Sequence, residues 1–182
     1  MLLGYNLYFY GNKYEMLGNV ALEEGDKYRD IYSINKFNPD IKIRIKKPVF
    51  CTCDSFRIVS EEFKLFCERE AYEGLEFVVL PKSPGFYWFK AHKIIEYDSQ
   101  DTKVRYLNYS EQYHGYEEIV GADPVNLKVK EPIPDGFFRS DLCFGWAETK
   151  RPLMLIGVET MKKLKATGFK YFYDSEIKDK YQ

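Results

Sequence analysis

Apolar and polar positions change period several times along the chain, and each change marks an element. Residues 2–10 and 28–34 run apolar or alternate with many tyrosines, which predicts strands. Ile41, Ile43 and Ile45 alternate with Lys42, Arg44 and Lys46, so this predicted strand has one buried and one wet face. Pro39 and Pro48 bracket it, as turns bracket an edge strand. From about residue 60 to 72 the period becomes helical. Phe63, Phe66, Cys67 and Ala71 form the inward stripe, Ser60 is placed as N-cap, and Glu61 and Glu62 suit the positive end of the helix dipole. Residues 75–80 return to strand, stopped by Pro81 and the turn Ser83-Pro84-Gly85. Residues 86–97 and 103–109 read as two long strands joined by Asp98-Ser99-Gln100-Asp101, a hairpin. Residues 110–140, with a strand-like VNLKVK and the turn-rich EPIPDG, are expected to be an irregular connection packed on the sheet. Beyond it, 141–147 and 153–156 are extended. A second helix over 158–166 turns Val158, Met161 and Leu164 inward and Lys162, Lys163 and Lys165 outward. Residues 169–173 form the last expected strand, and the polar tail SEIKDKYQ is expected to fray.

One unit occurs twice in this pattern. IVSEEFKLFCEREAYEGLEFVVL and LIGVETMKKLKATGFKYFYD each join an amphipathic helix to an apolar strand through a glycine, Gly74 in the first and Gly168 in the second. Glycine after a helix takes the left-handed conformation that satisfies the last carbonyls and turns the chain back. Two short helices against nine or ten strands predict an α+β fold of mostly antiparallel sheet, built on this repeated helix–glycine–strand unit. The expected organisation is one domain over 1–182, with residues 1–47 as a sub-region of strands within it.

Composition narrows the function classes. The 182 residues are 45% hydrophobic, 30% charged and 18% aromatic, enough to bury a sizeable core under a charged surface. Lys and Arg number 27 against 28 Asp and Glu, so net charge makes no case for nucleic acid or for an anionic membrane. The start MLLGYNLYFYGNKYEM lacks a basic leader and a small-residue cleavage site and reads as a first strand. No run of 18 apolar residues occurs, and four cysteines in unlike contexts fit a reducing cytoplasm.

Candidate chemistry is sparse. Cys51-Thr52-Cys53 offers thiolates to a soft metal, but its completing ligands would have to come from Cys67, His92 or Cys143, and no second CxxC or HxxxH exists. No metal and no cofactor are therefore expected. His92 falls inside a predicted strand and His114 in a Tyr-His-Gly-Tyr turn, which leaves a cysteine–histidine nucleophile unsupported. Walker, GxGxxG, GxSxG and HExxH patterns are absent. The aromatics at 87–89 lack the basic groove that base stacking on RNA needs. Two surface groups remain. Glu117, Glu118 and Asp123 form an acidic stretch in a loop-rich region, and Arg139, Asp141 and Trp146 set large anchors beside a charged pair. Aromatics and arginine are the usual hot-spot residues of protein interfaces.

IVSEEFKLFCERE followed by GLEFVVL, and GFFRSDLCFGW followed by RPLMLIGVETMKKLKATGFKYF, resemble a family of bacterial immunity proteins from polymorphic toxin systems, formerly a domain of unknown function. The likeness covers about residues 48–175. Members typically carry an I/V-V-S-E before the helix and a G-hydrophobic-x-F after it. The resemblance implies an α+β protein that binds and silences a cognate toxin with no chemistry of its own. The second copy departs from the pattern, with Gly157-Val158-Glu159 where a serine cap is expected, and CTC stands where some relatives have CxxC. The expected function is thus a non-catalytic, cytoplasmic protein-binding module; the alternative is an enzyme with its site between the two helix–strand units. A structural or regulatory domain of a phage or mobile element is a third reading.

Overall fold

The helical stripe around residue 60 folds as a helix over Glu61–Arg69, and the second as a helix over Val158–Ala166. The structure is a computed structural model, and it describes residues 1–100 and 103–179. The Ser60 hydroxyl caps the first of these helices by accepting the Phe63 N–H at 3.3 Å, and Phe63, Phe66 and Cys67 are buried as the stripe requires. The second buries Thr160, Met161 and Leu164 and starts from Gly157, which supplies no side-chain cap. Gly168 closes it at φ +74°, its N–H bonding to Lys165 O. The first helix closes differently. Its left-handed residue is Ala71, at φ +53°, with Ala71 N–H on Glu68 O and Tyr72 N–H on Cys67 O. Ala71 is therefore exposed and outside the inward stripe, and Gly74 (φ +71°) instead turns the chain into the following strand.

In chain order the elements are β1 (Leu2–Phe9), α1 (Ile31–Ile34), β2 (Val49–Cys51), β3 (Arg57–Ser60), α2 (Glu61–Arg69), β4 (Leu75–Val79), β5 (Phe86–Ala91), β6 (Ile94–Ile95), β7 (Arg105–Ser110), β8 (Gly115–Val120), β9 (Phe137–Trp146), β10 (Arg151–Ile156), α3 (Val158–Ala166) and β11 (Phe172–Lys178). Among the described residues the smaller sheet has the order β2-β3-β5-β4, and the larger has β11-β1-β10-β9-β8-β7 with β6 added parallel to β9. Every other named pairing is antiparallel, which gives the α+β architecture expected from the sequence.

The repeated unit has a topological meaning. In the smaller sheet the hairpin β2-β3 leads through α2 to β4, and β5 sits between β3 and β4. In the larger sheet the hairpin β9-β10 leads through α3 to β11, and β1 sits between β10 and β11. Both are split β–α–β units, and they differ by a permutation: the intervening strand follows the unit in one half and precedes it, at the start of the chain, in the other. Both helices and the facing sides of both sheets share one core, with Leu7, Val59, Phe63, Phe89, Phe137, Met154 and Leu164 among its buried members. The Phe63 ring lies 5.4 Å from Phe89 and 5.7 Å from Phe137, joining the halves edge to face. A second cluster, with Tyr97, Phe144 and Leu155, covers the far side of the large sheet, and a third, around Trp88, covers that of the small one.

Several expected elements differ. Residues 28–34 are not a strand: a 3-10 turn over Glu24–Tyr28 runs into α1, which Asp30 caps through the N–H groups of Tyr32 and Ser33. Residues 41–46 keep their alternation, with Ile41 and Ile43 buried, but belong to no sheet. The Ser83 side chain holds this strap, donating to Ile41 O and accepting from Ile43 N. The stretch 86–97 is broken at His92, so that β5 and β6 enter different sheets, and β7 pairs with β8 instead of with them. The turn expected at 98–101 ends at Asp101, which lies outside the described residues. In the irregular region β8 forms, and VNLKVK stays outside any strand; it packs Val125 and Leu127 into the second cluster and bonds the 96–98 segment through the Leu127–Tyr97 bridge, Lys128 N–H on Glu96 O and Asp98 N–H on Asn126 O. The tail is not frayed through residue 178: β11 pairs with β1 and buries Ile177.

Candidate functional site

Beyond β9 the large sheet is carried outward by the β7–β8 hairpin, which brings the expected surface residues into two groups. Glu118 lies in register with Trp146 on one side and with Leu107 on the other, and Tyr116 lies opposite Tyr109. Strand residues alternate between faces. Leu107, Glu118 and Trp146 therefore share one face, while Asn108, at φ +55°, interrupts the alternation before the Tyr109–Tyr116 pair. The Tyr116 ring packs at 4.9 Å from Tyr109 and 5.1 Å from Tyr106. Trp146 is 57% exposed and Tyr109 47%, unusually open for side chains of this size on strands. Glu118 makes no ion pair among the described residues.

A buried lysine fixes this platform from behind. Lys150 is 3% exposed, and its ammonium donates to three carbonyls: those of Lys27, Glu117 (2.9 Å) and Ala147 (2.7 Å). Its own carbonyl accepts the Ile31 N–H, the first of α1. One side chain thereby ties the 3-10 turn before α1, the middle of β8 and the turn after Trp146. Burial pulls its pKa from 10.5 down to about 8. Tyr28 and Tyr113, stacked at 5.2 Å, add an apolar contact between the same turn and the hairpin loop.

The remaining expected residues lie apart from this face, and two of them, Asp141 and Arg139, bond backbone. Asp141 Oδ1 accepts the N–H groups of Tyr97 and Leu142, both at 2.8 Å. Arg139 is half-buried, donates to Ser140 O and sets its guanidinium 5.9 Å from the Tyr32 ring centroid. Asp123 follows the end of β8, exposed, before the cis bond to Pro124. Glu117 accepts a bond from Asn108 Nδ2 at 3.3 Å. Tyr106, Tyr109 and Tyr116 were not among the expected site residues. Their signal was present in RYLNY and GYEEIV, where tyrosines recur at spacings a hairpin aligns.

Metal and acid–base chemistry find little geometry. No group of three or more His, Cys, Asp or Glu side chains among the described residues is placed to hold a metal ion. Cys51 is buried while Cys53 is exposed and hydrogen-bonds Tyr14 O, as alternation on an extended segment predicts. Burial pushes the Cys67 thiol far up, and the Cys143 thiol up to about 12, so neither is an activated thiolate. His92 meets Glu76 at 2.8 Å on the surface, outside any strand. Between the two helices lies an open cleft lined by Glu62, Arg69, Glu70 and Lys163, in which Lys163 is held by Glu70 at 3.0 Å and by Asp135 at 2.6 Å. No described helix is long and apolar enough to cross a membrane. No family model matches the chain, and no curated protein matches it either.

Proposed function

We propose that the chain is a non-catalytic protein-binding module that captures its partner on the β7–β8–β9 face. The observation that carries this reading is Trp146, a large and mostly exposed ring on a rigidly backed strand, directly beside the unpaired carboxylate of Glu118 and next to exposed tyrosines. A ring held in place loses little entropy on binding, and aromatic anchors surrounded by other contacts dominate interface energies. The unpaired Glu118 selects a partner that presents a basic residue there. Together with the sequence resemblance, this supports an immunity protein that neutralises a bacterial toxin, acting in the cytoplasm of the producing cell, where reduced thiols such as Cys51 and Cys67 are stable. Co-expression with a toxin domain encoded beside this gene tests the reading. Cells should survive and the two proteins should co-purify; cell death at the unprotected rate without a complex would overturn it.

A further inference from the structure

At the rim of the shared core, a cavity of about 280 Å³ opens where β1, β10 and β11 of the large sheet meet β2, β3 and their connecting turn. Arg57 and Arg151 both line it, with Asn6, Tyr8, Ser55 and Tyr173. Two guanidiniums in one cavity normally bring carboxylates with them, since a buried charge needs a partner. None is present here: among the described residues neither arginine makes an ion pair. Arg57 is 6% exposed; its Nη2 donates to Pro152 O at 2.6 Å, and its guanidinium also faces the buried Tyr32 hydroxyl. The Asn6 side chain, 1% exposed, lies beside the Tyr8 hydroxyl on the cavity wall. Burial, and the neighbouring Arg57, work against the charged form of Arg151. The cavity is thus lined by donors and by no carboxylate, the Asp123 side chain acting on it only through the Tyr8 hydroxyl.

We infer that this cavity binds a phosphoryl oxyanion, with Arg151 as its principal ligand and Arg57, Asn6 and Ser55 as supporting donors. A guanidinium fork matches two oxygens of a phosphoryl group, and Arg57, Asn6 and Ser55 line the same cavity, offering donors to its other oxygens. A doubly charged group also offsets both arginines, where a carboxylate offsets one. Tyr8 and Tyr173 stack in parallel at 4.7 Å beside the site, with Tyr10 tilted against Tyr173 at 5.4 Å, and the 48% of Tyr173 left exposed offers an apolar contact to a ring attached to the phosphate.

Calorimetric titration of the purified full chain tests this, with inorganic phosphate, a nucleoside monophosphate and succinate as probes at matched ionic strength. Saturable binding of a phosphate-bearing probe is expected, at least about tenfold weaker in Arg151→Gln, which removes charge-assisted bonds. Ser55→Ala, at the cavity wall, gives a second reading if Arg151→Gln does not fold, and should weaken binding severalfold. Tighter binding of the nucleotide than of phosphate identifies a ring packed against Tyr173; equal binding identifies the free anion. Saturation by neither, undiminished binding in both variants, or succinate as the tightest probe would overturn the assignment. The readout is independent of any toxin partner, so its failure leaves the proposed function standing.

Discussion

Trp146 on β9 stands directly across the strand pair from Glu118 on β8, which sets an exposed indole and an unpaired carboxylate side by side. Their loss should read differently. Trp146→Ala should speed dissociation from the partner, costing about 2 kcal/mol in affinity, with little change in the unfolding midpoint because the ring is mostly in water. Glu118→Lys should chiefly slow association and flatten its dependence on salt. Surface plasmon resonance at two ionic strengths separates these effects. Unchanged kinetics in both variants would remove this face from the interface.

Ala71 and Gly168 occupy equivalent left-handed positions after the two helices, one with a side chain and one without. Ala71→Gly should stabilise the protein by about 0.5 kcal/mol or more, the relief of left-handed strain exceeding the added freedom of the unfolded chain. Gly168→Ala should destabilise it by about 1 kcal/mol through backbone strain alone, since a Cβ there meets no atom within 4 Å. Urea unfolding of the two variants gives opposite shifts on this account, and shifts of the same sign would contradict it.

Lys150→Met should cost about 2–4 kcal/mol, because three buried carbonyls lose their donor. The pH dependence has a defined sign. Burial holds the folded pKa at about 8 against 10.5, so between these values the unfolded chain binds a proton that the folded chain has released. Stability therefore rises with pH across that window, by at most about 1.4 kcal/mol per unit. Chemical unfolding at pH 7.5 and 9.5 should show the wild type gaining on Lys150→Met; parallel curves would place the lysine's titration elsewhere.

Ile177→Ala should destabilise by about 2–4 kcal/mol, since the side chain is buried against Leu3 and Leu155 in the second cluster. A residue in a frayed tail would show no effect. Thermal melts and amide exchange of the β11 N–H groups check this together.

The sequence carried the fold where pattern and packing agree. Ser60, Phe63 and Phe66 mark α2 correctly because an amphipathic stripe and its cap are local signals, and Gly168 marks a helix end for the same reason. Where pairing is decided by distant chain, the pattern misled. Ile41 and Ile43 alternate like a strand because they are buried on one side, yet Ser83 takes the backbone groups that a neighbouring strand would otherwise satisfy. SEIKDKYQ looks too polar to fold, since Ile177, the one buried residue among its described positions, finds β1 only from the far end of the sequence. The candidate site was half legible. Glu118 and Trp146 were both picked out, but their alignment across β8 and β9 is a matter of register. Arg57 and Arg151, set in the apolar runs FRIV and KRPLMLI, gave a signal in their context that composition alone hides.

The permuted order of the two halves imposes a schedule on folding. β2 to β5 and α2 occupy a contiguous stretch ending at Ala91, so the small sheet has all its strands once that residue leaves the ribosome. β1 emerges before any of them, yet its neighbours β10 and β11 come after residue 150. Throughout synthesis an apolar strand must wait without partners, and non-local pairings of this kind are slow and exposed to wrong association. Moving β1 behind β11 by circular permutation would put both halves in the same local order, and refolding should then become faster with little change in the final structure.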